Sequence, residues 1–189
     1  RHHGHDVAAV LGKLGIDSAE VDWFSSSLGA TLLIDAYQND VLAGRSSILL
    51  APNPDFEFPL WARILLKMPL PKFIHPALVR FAVWIVERRT EEEGQRIRYR
   101  RALLSQDLER LLLSSRANIR YSLPQDLSNA SVPCAVMTAS SDTLHGMDKV
   151  LDIVDRLPNA VLIEVPSNQY AHEADVLAEI EEFQSSIGN

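Results

Sequence analysis

The chain has 189 residues, of which 47% are hydrophobic and 23% charged, enough to bury one real core without disulfide or metal staples. A net charge of −7 argues against general nucleic-acid binding, and the single cysteine, Cys134, excludes a disulfide framework or a cysteine-rich zinc site. The longest apolar stretch, Val79 to Val86, is broken by Arg80 and is too short to span a bilayer, so a soluble, cytoplasmic protein is expected. No signal peptide is visible, yet the first residue is an arginine. The natural start is therefore expected to lie upstream or to have been processed.

In chain order the elements read α, β, α, β, insertion, β, α, β, α. Asp6 to Leu14 places Val7, Val10, Leu11 and Leu14 on one helical face, and Gly15 closes the helix. Val21 to Ser25 is a short β-rich run, followed by a buried helix over Leu28 to Tyr37. Ser47 to Pro52 is the second strand, stopped by Pro52 and Pro54. Between Asp55 and Gln125 the character changes: 13 Lys/Arg stand against 8 Asp/Glu, whereas the remainder holds 5 against 17. Helical spacing there covers Pro59 to Lys67, Ala77 to Arg89 and Arg101 to Ser115, and the whole stretch reads as an insertion. Val132 to Ala139 is the third strand, Met147 to Leu157 a helix, Val161 to Val165 the fourth strand and Ala174 to Ile187 the closing helix. Strands separated by helices imply parallel pairing, hence an α/β fold with a parallel sheet and flanking helices.

Ligands of such sheets bind beyond the carboxyl ends of the strands, so those positions come next. After the first strand stand Ser25-Ser26-Ser27-Leu28-Gly29. So few residues between strand and helix force a sharp turn that holds Ser27 strained and exposed, with small residues two before and two after it. The N–H of Leu28 and the following helix dipole are placed to stabilise an oxyanion. After the third strand comes Asp142, and after the fourth the loop Pro166 to His172. A serine, an aspartate and a histidine in that order suit nucleophile, orienting acid and base. Each also has a plainer reading: the serines as an N-capped loop, Asp142 as a turn residue, His172 as a surface histidine.

The segments around these residues resemble the α/β-hydrolase superfamily. AEVDWFSSSLGATLLIDAY resembles its strand, nucleophile elbow and helix, with Ser25 to Gly29 at the G-x-S-x-G positions. SVPCAVMTASSDTLHGMDKV resembles the strand that carries the acid, and PNAVLIEVPSNQYAHEADVLAEIEEF the last strand, histidine loop and final helix. RHHG at the start resembles an R-G-H-G segment that follows an earlier strand. The resemblance implies a core of residues 1–54 and 126–189 with a helical cap at 55–125. It implies a serine esterase or thioesterase with catalytic Ser27, Asp142 and His172, and with Ser26 and Leu28 at the elbow and oxyanion site. Three departures stand out. Ser25 replaces the first glycine, Gln169-Tyr170 stand where Gly-His is usual, and the strands that normally precede RHHG are absent along with their oxyanion donor. A narrower likeness links the HHG start and the non-glycine elbow to the acyl-transferase/thioesterase of bacterial luminescence systems.

Within the insertion, Trp61, Leu65, Phe81 and Trp84 offer apolar surface to line an acyl pocket, although such stripes commonly just pack a cap onto its core. Arg88, Arg89, Arg96, Arg98, Arg100 and Arg101 form a basic cluster. It reads either as a solvated face of helical ion pairs or as a surface for an anionic acyl carrier. No metal or organic cofactor is expected. His2, His3 and His5 have a spacing open to metal, to a loop or to a tag remnant. The other class of function consistent with these residues is a non-catalytic hydrolase-like protein that binds a ligand or partner.

Overall fold

The computed structural model describes residues 2–55, 60–68, 71–90, 92–119, 121–139 and 146–187, with the side chains of residues 2 and 65 left aside. The chain forms two compact units, one of Arg1–Pro54 with Leu123–Asn189 and one of Asp55–Ser122.

In the first unit, four strands form one sheet in the order β1-β2-β3-β4, every pair parallel: β1 (Asp22–Ser26), β2 (Ser46–Leu50), β3 (Cys134–Ala139) and β4 (Ala160–Val165). The central strands β2 and β3 are buried at every position, as continuous apolar runs in a parallel sheet require. Alternation along the strands sends Ile48, Leu50, Ala135 and Met137 to one face. There they pack with Val165, Ala171, Val176 and Phe183 of the closing segment. Helix α2 (Leu28–Gln38) lies on β1, and α7 (Met147–Arg156) on β3 and β4, with Leu33, Ile34, Val150 and Ile153 buried. Helix α8 (Leu177–Ile187) closes the chain, its start preceded by a single 3-10 turn over Ala174–Val176.

Helix α1 spans His2–Leu14, four residues longer at its start than periodicity suggests. Of the expected RHHG loop, His2 to Gly4 instead lie in the helix. Gly4 lets this end of α1 approach α2 closely, because a Cβ there would sit 3.1 Å from Ala36 Cβ and 3.4 Å from Val41 Cγ1. The expected apolar stripe of α1 is only partly covered, with Val7, Val10 and Leu14 exposed.

The second unit is helical: α3 (Leu60–Lys67), α4 (His75–Arg89), α5 (Glu93–Ser105) and α6 (Leu108–Asn118). Helix α4 packs along α5, and α3 against α6. The single helix expected over Arg101 to Ser115 is instead the end of α5 and most of α6. Asp107 breaks it by accepting the N–H groups of Glu109 and Arg110, which is the work of an N-cap. Arg116 of α6 donates to the carbonyls of Leu66 and Met68 and so caps the carboxyl end of α3. Among the described residues, no helix is long and apolar enough to cross a membrane.

Candidate active site

The turn between β1 and α2 has the geometry its sequence demands. Ser27 lies at φ 51°, ψ −119°, in the positive-φ region that disfavours any residue with a Cβ. It is half-buried rather than exposed as expected. Its N–H donates to Leu50 O of β2 at 2.8 Å, and its carbonyl accepts the Thr31 N–H at 3.1 Å, so the residue is pinned from both sides. The adjoining strand ends alike: Ala51, at φ 45°, donates to Met137 O of β3 at 2.8 Å. The flanking small residues face each other, since a Cβ on Gly29 would lie 4.0 Å from Ser25 Cβ. A serine in the place of the first glycine thus leaves ordinary van der Waals room. Leu28 opens α2, so its N–H is one of the amino-terminal donors without an intrahelical acceptor. Ser26 is the last residue of β1, paired with Leu50.

Thr31 braces this turn. Fully buried, its hydroxyl donates to Asn53 O at 2.9 Å and accepts from Asn53 N–H at 3.0 Å, tying the first turn of α2 to the segment after β2. Sequence reasoning missed it; the signal was a lone threonine in an otherwise apolar helix start. Beside the elbow, an apolar cavity of about 220 Å³ lies between α1, β1 and α2, lined by Val7, Phe24, Ser25, Gly29 and Leu32 among others.

The other expected residues follow β3 and β4. Asp142 lies outside the described residues, beyond the end of β3 at Ala139. His172 ends a 3-10 turn over Tyr170–His172 and is exposed. Its Nδ1 lies 2.8 Å from the carbonyl oxygen of Asn168. Ser27 and His172 follow the two outer strands, β1 and β4, whose axes are three interstrand steps, or roughly 14 Å, apart. The loop after β4 must reach back along the sheet rim for the two to meet.

Tyr170, at the usual histidine position, is turned to α8. Its hydroxyl donates to the Glu179 carboxylate, with the Asp175 carbonyl 3.1 Å away. The Glu179 hydrogen bond, helped by burial, pushes the phenol up to about 12, so it stays protonated and serves as an anchor, not a base.

In the second unit Trp61 is 55% exposed, and Phe81 and Trp84 are each 48% exposed. Phe81 and Trp84 stack with centroids 5.8 Å apart, and the Arg88 guanidinium lies 4.6 Å over the Trp84 ring. The backbone of Leu65 is in α3; its side chain is outside the described residues. Of the basic cluster, Arg100 pairs with Glu87 and Arg96 with Glu93. His3 and His5 lie on α1, with His3 Nδ1 3.9 Å from Asp6. Among the described residues, no group of three His, Cys, Asp or Glu is gathered for a metal.

A parallel sheet whose outer strand breaks into a helix through a positive-φ serine, with a helical unit inserted after the next strand, is the α/β-hydrolase-like fold. Solved structures share it: an esterase of Thermogutta terrifontis superposes with a TM-score of 0.73 at 15% identity, covering 98% of this chain and 72% of its own. A hydrolase of Oleispira antarctica gives 0.72 at 13% identity, over 96% of this chain and 70% of its own. An enol-lactonase of Burkholderia xenovorans gives 0.71 at 15%, over 95% and 70%. At this identity the likeness establishes the fold. No protein-family model matches the sequence, and no curated protein sequence matches it.

Proposed function

We propose that the chain is a serine hydrolase that cleaves a carboxylic ester or thioester through an acyl-enzyme. The observation that carries this reading is the backbone of Ser27. A strained, positive-φ serine between a strand and a helix is costly to keep, and such a turn suits a nucleophile beside the amino-terminal N–H groups of the helix. Solved proteins of this fold include ones described as esterase and enol-lactonase, which supports acyl chemistry.

In this reading Ser27 Oγ attacks the acyl carbon while His172 Nε2 takes its proton. The Leu28 N–H holds the oxygen that gains negative charge, and Ser26 positions the elbow. The imidazolium returns the proton to the departing alcohol or thiol, and Asp142 stabilises it by its charge. Water, deprotonated by the same imidazole, then attacks the acyl carbon and releases the acid and Ser27. The helical unit between positions 55 and 125 offers Trp61, Phe81 and Trp84 as apolar surface for an acyl group. The arginines of α5 suit an acyl group carried on an anionic carrier.

Intact mass after exposure to a fluorophosphonate tests the reading: one adduct is expected on the wild type and none on Ser27→Ala. An unlabelled wild type refutes it. The second reading, a ligand-binding protein on a hydrolase scaffold, is favoured by one observation. Tyr170 occupies the usual histidine position and is committed to Glu179. Ligand binding by an unlabelled wild type, unaffected by Ser27→Ala, would support it.

A further inference from the structure

We infer that the backbone carbonyl of Asn168, rather than a side-chain carboxylate, fixes the tautomer of His172 and leaves Nε2 as its basic nitrogen. As a statement about catalysis this rests on the hydrolase reading above; as a statement about the imidazole it stands by itself. His172 Nδ1 is 2.8 Å from Asn168 O, a full hydrogen-bond approach. A carbonyl oxygen can only accept, so the ring nitrogen facing it must carry a proton. In the neutral ring the lone pair then belongs to Nε2.

The acceptor is held by the chain itself. Around it, Ala171 N–H donates to Ser167 O at 3.3 Å and His172 N–H to Gln169 O at 2.9 Å. Tyr170 N–H donates to Ser167 Oγ at 3.0 Å, and the Tyr170 hydroxyl anchors the turn on α8. Asn168 is 5% exposed, so its backbone is not free to swing. The departure at Gln169-Tyr170 thereby acquires a role: the tyrosine locks the turn that presents the carbonyl to the ring.

In a serine–histidine–aspartate arrangement the carboxylate sets the tautomer and also stabilises the imidazolium. Here Asn168 O is the positioning group for the first task, and Asp142 retains only the second. Where a carboxylate sets the tautomer, exchanging it for an amide lowers turnover about 10⁴-fold. With the tautomer held by the backbone, Asp142→Asn should remove one charge without changing the tautomer, a loss of about tenfold.

The test uses the full chain labelled with ¹⁵N-histidine, as wild type and Asp142→Asn, with His172→Gln to assign the resonance. Long-range ¹H–¹⁵N spectra above the imidazole titration read the tautomer directly, and fluorophosphonate labelling rates run in parallel. The expected result is Nδ1–H in both proteins, with labelling slowed about tenfold in Asp142→Asn. Nε2–H in the wild type, loss of Nδ1–H in Asp142→Asn, or a slowing of about a thousandfold or more overturns the assignment. A wild type that shows Nδ1–H yet never labels leaves the tautomer assignment standing and removes the hydrolase reading.

Discussion

The strain at Ser27 can be measured without reference to any substrate, by comparing Ser27→Ala with Ser27→Gly. Both variants lose the hydroxyl and whatever it bonds, so that contribution cancels between them. What differs is the Cβ at φ 51°, ψ −119°. A non-glycine residue in such a region costs about 1–3 kcal/mol, while glycine forfeits about 0.5–1 kcal/mol of unfolded-chain entropy. The difference has a mid-range of about 1 kcal/mol in favour of the glycine variant and an upper limit of about 2.5, so its melting temperature should be higher by about 2–4 °C for a chain of this size. Urea unfolding followed by circular dichroism, with thermal melts alongside, reads the difference. If Ser27→Gly proves equal to or weaker than Ser27→Ala, the backbone there is not strained and the elbow argument fails.

Thr31→Val keeps the side-chain shape but leaves the Asn53 N–H and carbonyl without their hydroxyl partner. Urea unfolding should show a loss of about 1–3 kcal/mol, and a loss under about 0.5 kcal/mol would remove Thr31 as the brace of the elbow. For Tyr170, the difference between the near-ultraviolet absorbance titrations of wild type and Tyr170→Phe should have its midpoint near 12 and not at the ordinary phenol value of 10. Because the folded value is the higher one, the protonated phenol's contribution to stability is complete below pH 10 and fades as pH rises through about 12. The gap in urea midpoint between the two proteins should accordingly be flat near neutrality and narrow only in strong alkali. A midpoint at 10 would mean the Glu179 bond is not made in solution.

The alternation of strands and helices was legible because burial on both faces forces continuous apolar runs such as SILL and CAVM, and these occupy β2 and β3. The turn at Ser27 was legible because the few residues between β1 and α2 admit little else. Less visible were features that depend on distant partners. The early part of α1 packs through Gly4 against the distant Ala36, and neither the histidines around it nor its hydropathy announces a helix. The break between α5 and α6 turns on a single capping aspartate inside a segment whose periodicity carries through. The Thr31–Asn53 pair spans 22 residues and the Tyr170–Glu179 bond nine, separations at which no local pattern signals contact. The apolar residues of α3 and α4 show the reverse problem. Their spacing marked a face but not its covering, and Trp61, Phe81 and Trp84 remain about half exposed.

Where the chain leaves the sheet unit at Pro54 and rejoins it at Leu123, Leu123 N–H bonds Pro54 O at 2.7 Å, and one residue further out Asp55 and Ser122 form an antiparallel bridge. The two chain directions are thus stapled at the neck, and the closure entropy of everything hung beyond it depends only weakly on its length. Helices can be added, trimmed or exchanged beyond such a neck while the four strands keep their register. A lineage built this way can rework the inserted helices and leave the sheet untouched.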